Sequence, residues 1–112
     1  MLALPHTASD EAVRALNDAQ VVAINTESRH LGAAAAAQAV RCAVRDYADR
    51  NVILFKKIDS TLRGNVAAET VAALQASGRR NVVFAPAFPA QGRLTRSGVV
   101  YVHGVPLAQT EF

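Results

Sequence analysis

Only one cysteine, Cys42, occurs among the 112 residues, so no disulfide can form within the chain. Tryptophan is absent, and the aromatics amount to four Phe and two Tyr. They do not alternate with basic residues as a base-stacking platform would. His6, His30 and His103 sit near no second histidine, cysteine or carboxylate at ligand spacing, so no metal site is expected. No run reaches the roughly 18 apolar residues that a membrane span requires. The opening Met-Leu-Ala-Leu-Pro, followed by His6, Ser9, Asp10 and Glu11, lacks the basic flank and long apolar stretch of a signal peptide. The phosphate loop G-x-x-x-x-G-K-[ST] and the dinucleotide turn G-x-G-x-x-G are both missing. A soluble chain in a reducing, cytoplasmic compartment is the expectation, with Cys42 a small residue on or beside a helix's apolar stripe.

What is present suits one compact unit. Apolar residues make up 51% of the chain and charged residues 19%, a globular balance in which alanine is prominent. The formal charge is +3. Its basic residues are spread over Arg41, Arg45, Arg50, Arg79, Arg80, Arg93 and Arg96, with Asp46 and Asp49 interleaved in the first group. That distribution fits a solvated, mildly basic surface and argues against nucleic acid as a partner.

Three short β-branched runs recur at nearly equal intervals: Val21-Val22-Ala23-Ile24, Val52-Ile53-Leu54-Phe55 and Val82-Val83-Phe84-Ala85. Continuous apolar runs of this kind suit strands buried on both faces of a parallel sheet. Helical patterns fill the gaps. Over residues 33–49, Ala36, Val40, Ala43, Val44 and Tyr47 share one face, and Arg45 can pair with Asp49 on the other. Over residues 66–77, Ala67, Thr70, Val71 and Leu74 share a face, and Gly78 stops the helix. Ser9-Asp10-Glu11 before Ala12, Val13, Ala15 and Leu16 predicts a short capped helix. Beyond Ala85, Pro86, Pro89, Gly92, Gly98, Gly104 and Pro106 break the chain into loops; Val99–Val102 is expected as a strand turning at His103-Gly104 into a small hairpin. The fold class expected is α/β: a three-layer sandwich with a mostly parallel sheet, a partial Rossmann- or flavodoxin-like domain with a small C-terminal β-hairpin.

In such sheets ligands bind beyond the carboxyl ends of the strands. Those ends carry Asn25-Thr26-Glu27-Ser28-Arg29, residues 56–65 and residues 86–93. The middle link, Lys56-Lys57-Ile58-Asp59-Ser60-Thr61-Leu62-Arg63-Gly64-Asn65, is the densest in chemistry. A helix start at Asn65 favours an anion, Arg63 can grip a carboxylate or phosphate bidentately, and Lys57 adds a point charge. Gly64 permits close backbone approach, while Asp59, Ser60 and Thr61 suit sugar hydroxyls. The same residues would also suit a capped helix start with surface lysines and an Asp–Arg pair.

The string K-x-D-S-T-L-R-G-N after an apolar run resembles the sugar-binding N-terminal domain of the four-carbon acid sugar kinases. So do Pro86-Ala87-Phe88-Pro89-x-x-Gly92-Arg93, the segment Gly-Val-Pro-Leu before Thr110-Glu111-Phe112, and Asn25-Thr26-Glu27-Ser28-Arg29. The likeness covers about residues 21–112. It implies an ATP- and Mg-dependent transfer of phosphate to a four-carbon sugar acid such as threonate, erythronate or a 3-oxo derivative. It places Arg29, Lys57, Asp59, Ser60, Arg63, Asn65 and Arg93 in the sugar-acid pocket, with Asp59 a candidate base. Arg29 and Arg93 could equally be surface charge. The family's Ala-Asp-Asp-x-T-G-A opening motif is not found, and the sequence stops where relatives continue into the ATP-binding domain. The resemblance therefore implies a single, incomplete sugar-acid-binding domain over residues 1–112, inactive alone as a kinase. Its expected partners are a separate ATP-binding domain or a second copy of itself. A stand-alone binder of small hydroxy acids or phosphosugars and a remnant without ligand are the alternatives.

Overall fold

The computed structural model describes residues 19–48 and 51–112. The helix expected over residues 9–16 and the Asp49 half of the Arg45–Asp49 pair lie outside the described residues.

Alanine, the strongest helix former, fills nearly half of the first described helix, α1, Ala33–Tyr47. Its buried residues, Ala36, Val40 and Val44, follow the expected spacing of four. The second helix, α2, spans Val66–Ala76. It closes on Ser77, whose Oγ donates to the Leu74 carbonyl at 3.0 Å, and on Gly78 in the left-handed region at φ +63°. The two helices pack through a core of Val40, Val44, Ala72 and Ala73, with Ala37, Ala48, Leu54 and Ala76 against it.

The inner face of α2 differs from the expected one. Glu69, Ala72 and Ala73 are buried, whereas Val71 is 53% exposed. Alanine and valine surround this helix almost completely, so spacing alone could not select a face. Two of its alanines, Ala72 and Ala73, turn inward with Glu69.

The parallel sheet is the main departure. None of the three apolar runs is laddered: residues 21–27, 53–59 and 81–87 carry no strand assignment, and no backbone hydrogen bond joins them among the described residues. Residues 54–58 and 81–88 instead line a cavity of about 630 Å³, together with Thr70, Ala73, Leu74 and Ser77 of α2. Unladdered apolar chain is left in the open, with Ile53 96%, Val83 92% and Phe55 81% exposed.

The sheet that does form is antiparallel. Strands β1 (Arg93–Arg96), β2 (Val99–Val102) and β3 (Val105–Pro106) lie in that order, with Arg93 opposite Val102 and Tyr101 opposite Pro106. The β2–β3 hairpin was expected; β1 was not. Both connections are two-residue turns with positive φ throughout, Ser97-Gly98 at 48° and 78° and His103-Gly104 at 49° and 85°. That is the turn geometry which matches strand twist. The fold is α/β, the described residues forming two packed helices and a three-stranded antiparallel sheet.

Candidate functional site

The turn between residues 59 and 64 is organised by a single carboxylate. Asp59 Oδ2 accepts from the Thr61 amide at 3.1 Å, Thr61 Oγ1 at 2.5 Å, the Arg63 amide at 3.3 Å and Arg63 Nε at 2.9 Å. Its Oδ1 accepts from Arg63 Nη2 at 2.9 Å. The Arg63 hydrogen bonds, helped by those of Thr61, outweigh partial burial and hold the Asp59 carboxyl far below the usual carboxylate range. Leu62 and Gly64 take positive φ, 57° and 87°, to close the turn. A Cβ on Gly64 would lie 3.4 Å from Arg29 Cγ, so the glycine leaves room for the Arg29 stem.

Asn65 ties this turn to the neighbouring loop. Its side chain does not cap α2; its Nδ2 donates to the carbonyls of Ser28 at 3.2 Å and Leu31 at 2.8 Å. Ser28 opens a short 3-10 turn, Ser28–His30, preceded by Glu27 at φ +50°. The Glu27 amide donates to Asn25 Oδ1 at 3.1 Å, a side-chain-mediated turn.

Beneath both loops lies a buried polar chain that the sequence did not reveal. Glu69 is only 7% exposed. Its Oε1 accepts from Ser28 Oγ at 2.6 Å and its Oε2 from Lys56 Nζ at 2.5 Å. Ser28 Oγ in turn lies 2.8 Å from Thr26 Oγ1. Burial pushes the Glu69 carboxyl up, but hydrogen bonds from Lys56 and Ser28, with the Lys56 charge, bring it below its ordinary value. The available signal was a carboxylate at three and four residues before Ala72 and Ala73. A charge heading a buried stripe has to find a partner.

These elements enclose a polar cavity of about 270 Å³, lined by Thr26, Ser28, Arg29, Lys56, Lys57, Asp59, Arg63, Asn65 and Glu69 among others. Five of the seven expected site residues, Arg29, Lys57, Asp59, Arg63 and Asn65, meet there. Ser60 and Arg93 do not; Ser60 lines the larger cavity, and Arg93 Nη1 donates to Ser60 Oγ at 2.7 Å. Arg93 also lies 6.0 Å from the Phe112 ring centroid, and its buried Nε has no hydrogen-bond partner among the described residues. Arg63 is matched by Asp59 and Lys56 by Glu69. Lys57 Nζ donates only to the Ile58 carbonyl, at 2.9 Å, and Arg29 has neither hydrogen bond nor ion pair among the described residues. Those two cations are available to an anion. No group of three or more His, Cys, Asp or Glu among the described residues could hold a metal ion, and no described helix is long and apolar enough to cross a membrane.

Comparison with known proteins identifies the family of the chain. A D-threonate kinase of Salmonella typhimurium is 49% identical over 96 residues, covering 84% of this chain and 23% of that protein. A D-erythronate kinase of Heliobacterium modesticaldum is 40% identical over 97 residues, covering 85% and 22%. A crystal structure from Bordetella bronchiseptica, of a domain of unknown function with bound citrate in a domain-swapped dimer, superposes with a TM-score of 0.78. It is 44% identical and covers 87% of this chain and 26% of that one. The chain thus spans about a quarter of the length of the relatives it matches. Residues 2–112 match the sugar-binding N-terminal domain, and the chain belongs to that family.

Proposed function

We propose that this chain supplies the sugar-acid-binding part of an ATP-dependent kinase acting on four-carbon sugar acids of the threonate, erythronate or 3-oxo-tetronate type. The observation that carries the reading is the 270 Å³ polar cavity in which Arg29 and Lys57 keep cationic charge unmatched by any carboxylate among the described residues. Its walls suit a small polyhydroxy acid: two free cations for a carboxylate, with Thr26, Ser28 and Asn65 among the polar groups within reach of hydroxyls. The names of the relatives, D-threonate kinase, D-erythronate kinase and 3-oxo-tetronate kinase, support the substrate class.

Asp59 takes a positioning role in this reading rather than that of a base. A carboxylate that accepts five hydrogen bonds and titrates far below neutrality is a weak proton acceptor. It shapes the turn that presents Lys57 and Arg63. Ser60 and Arg93 act as a pair that fixes the 86–93 loop beside the site.

Phosphoryl transfer depends on positioning and on charge stabilisation around nucleotide and metal. The residues present do not fit that task, since the sequence has no glycine-rich phosphate loop and the described residues include no carboxylate cluster for Mg. The nucleotide-binding part is assigned to polypeptide beyond this chain. The parallel sheet, likewise, is inferred to form when further strands join the runs at residues 21–24, 52–55 and 82–85. The partner is then the remaining kinase polypeptide or a second copy, and the domain-swapped dimer of the Bordetella relative supports self-association.

Isothermal titration with D-threonate and D-erythronate tests the reading. Binding is expected to weaken about tenfold in Arg29→Ala and in Lys57→Ala, the size of one charge-assisted hydrogen bond. Unchanged affinity in both variants would overturn it.

A further inference from the structure

Four cations and three carboxylates face the polar cavity: Arg29, Lys56, Lys57 and Arg63 against Glu27, Asp59 and Glu69. Their pairing is uneven. Asp59 matches Arg63, and Glu69 matches Lys56. Glu27 is exposed and solvated, with no ion pair to another described residue. We propose that Glu69 is a specificity-determining positioning residue: by holding Lys56 neutralised against the cavity wall, it tunes the pocket to a singly charged hydroxy acid and disfavours a dianion. The inference rests on the sugar-acid reading of the cavity and adds to it the group that sets the preferred charge.

The chemistry follows from geometry. Lys56 lines both the polar cavity and the larger apolar one, so its ammonium stands at their shared wall. Its side chain is 23% exposed and that of Glu69 is 9% exposed, and a pair so poorly hydrated interacts strongly. Glu69 also accepts from Ser28, which fixes the carboxylate and therefore the direction of the Lys56 stem. With Lys56 spent, the unmatched cations are Arg29 and Lys57, enough for one carboxylate. Removal of the Glu69 charge alone would present Lys56 to the ligand as a third.

Glu69→Gln is the informative change. It keeps the shape and an oxygen for Ser28, but sets an amide N–H₂ against the ammonium, so that Lys56 turns to the cavity. Titration of D-threonate, a monoanion, and tartrate, a four-carbon dianion, compares the two charges on one skeleton length. The wild-type chain is expected to prefer threonate. In Glu69→Gln the tartrate-to-threonate affinity ratio should rise about tenfold, the effect of one added charge-assisted contact. A purely structural role would weaken both acids equally and leave the ratio unchanged, which would overturn the proposal. The double variant Lys56→Met/Glu69→Gln removes both charges and should return the ratio to the wild-type value; a ratio that stays raised also overturns it. So does a wild-type chain that binds the two acids equally. Failure to bind either acid would remove the sugar-acid reading itself, whereas binding with an unresponsive ratio removes only the role of Glu69.

Discussion

Asp59 and Glu69 are both held below their ordinary values, but they answer to different partners. The Asp59 clamp belongs to a turn whose Arg63 side chain is 46% exposed, so water screens much of its charge. Glu69 is buried and joins two loops to α2. A group whose folded value is lowered contributes stability above its unfolded value, and that contribution is lost as pH falls through the folded one. Stability should therefore be level from neutrality down to about pH 5 and decline below about pH 4, where free carboxylates begin to protonate. Urea unfolding across pH 2–8, followed by circular dichroism, measures this. Glu69→Gln should flatten part of the acid decline, and an unaltered acid limb would show that other carboxylates cause it. Glu69→Ala strands Lys56 without its carboxylate partner and should cost about 3 kcal/mol, the lower end for breaking a buried pair because Lys56 retains some solvent.

At the level of elements, the antiparallel sheet is anchored by one glycine. The Gly92 carbonyl accepts from the His103 amide at 2.8 Å, and a Cβ on Gly92 would lie 2.4 Å from His103 Nδ1. Gly92 also stands at φ +64°, a conformation that alanine adopts at a cost. Gly92→Ala should destabilise the chain by about 2 kcal/mol, combining backbone strain with displacement of the imidazole. Adding His103→Ala should recover the steric share and leave the backbone share, which a double-mutant cycle in urea would resolve. In the helical layer, Val44→Ala opens space between α1 and α2 and should cost about 2 kcal/mol.

The helices and the β2–β3 hairpin were legible in the sequence because each carries its own signal. Val40 and Val44 repeat at helical spacing, and His103-Gly104 is a turn pair flanked by valines. Strand β1 was hidden because Arg-Leu-Thr-Arg offers neither an apolar run nor clean alternation. Five cavity residues were legible from the charge density of one link and its neighbour. Glu69 was not, because it sits in a helix of alanine and valine where no face stood out. The parallel sheet is not laddered among the described residues. A β-branched run states that a segment favours extended backbone, but a ladder also requires a neighbour at hydrogen-bonding distance. Residues 54–55 and 82–85 face a 630 Å³ cavity instead.

At the scale of the molecule, that cavity and the bare runs leave apolar surface without cover. Val21, Ile53, Phe55 and Val83 are each more than three-quarters exposed. Backbone and side chains of this kind recruit other extended segments. Light scattering should show a monomer–dimer equilibrium that moves toward dimer with concentration, and Ile53→Lys with Val83→Lys should shift it back toward monomer. A concentration-independent monomer would remove self-association from the reading.

The bare runs also bear on how the chain behaves in bulk solution. Its formal charge is +3, and with so much apolar surface open, mutual repulsion among copies is the force that keeps them apart. That repulsion reaches only about 10 Å at 0.1 M salt and about 3 Å at 1 M. Ionic strength then becomes the control on solubility: the chain should scatter least in dilute buffer and cloud as salt is added, before any unfolding begins.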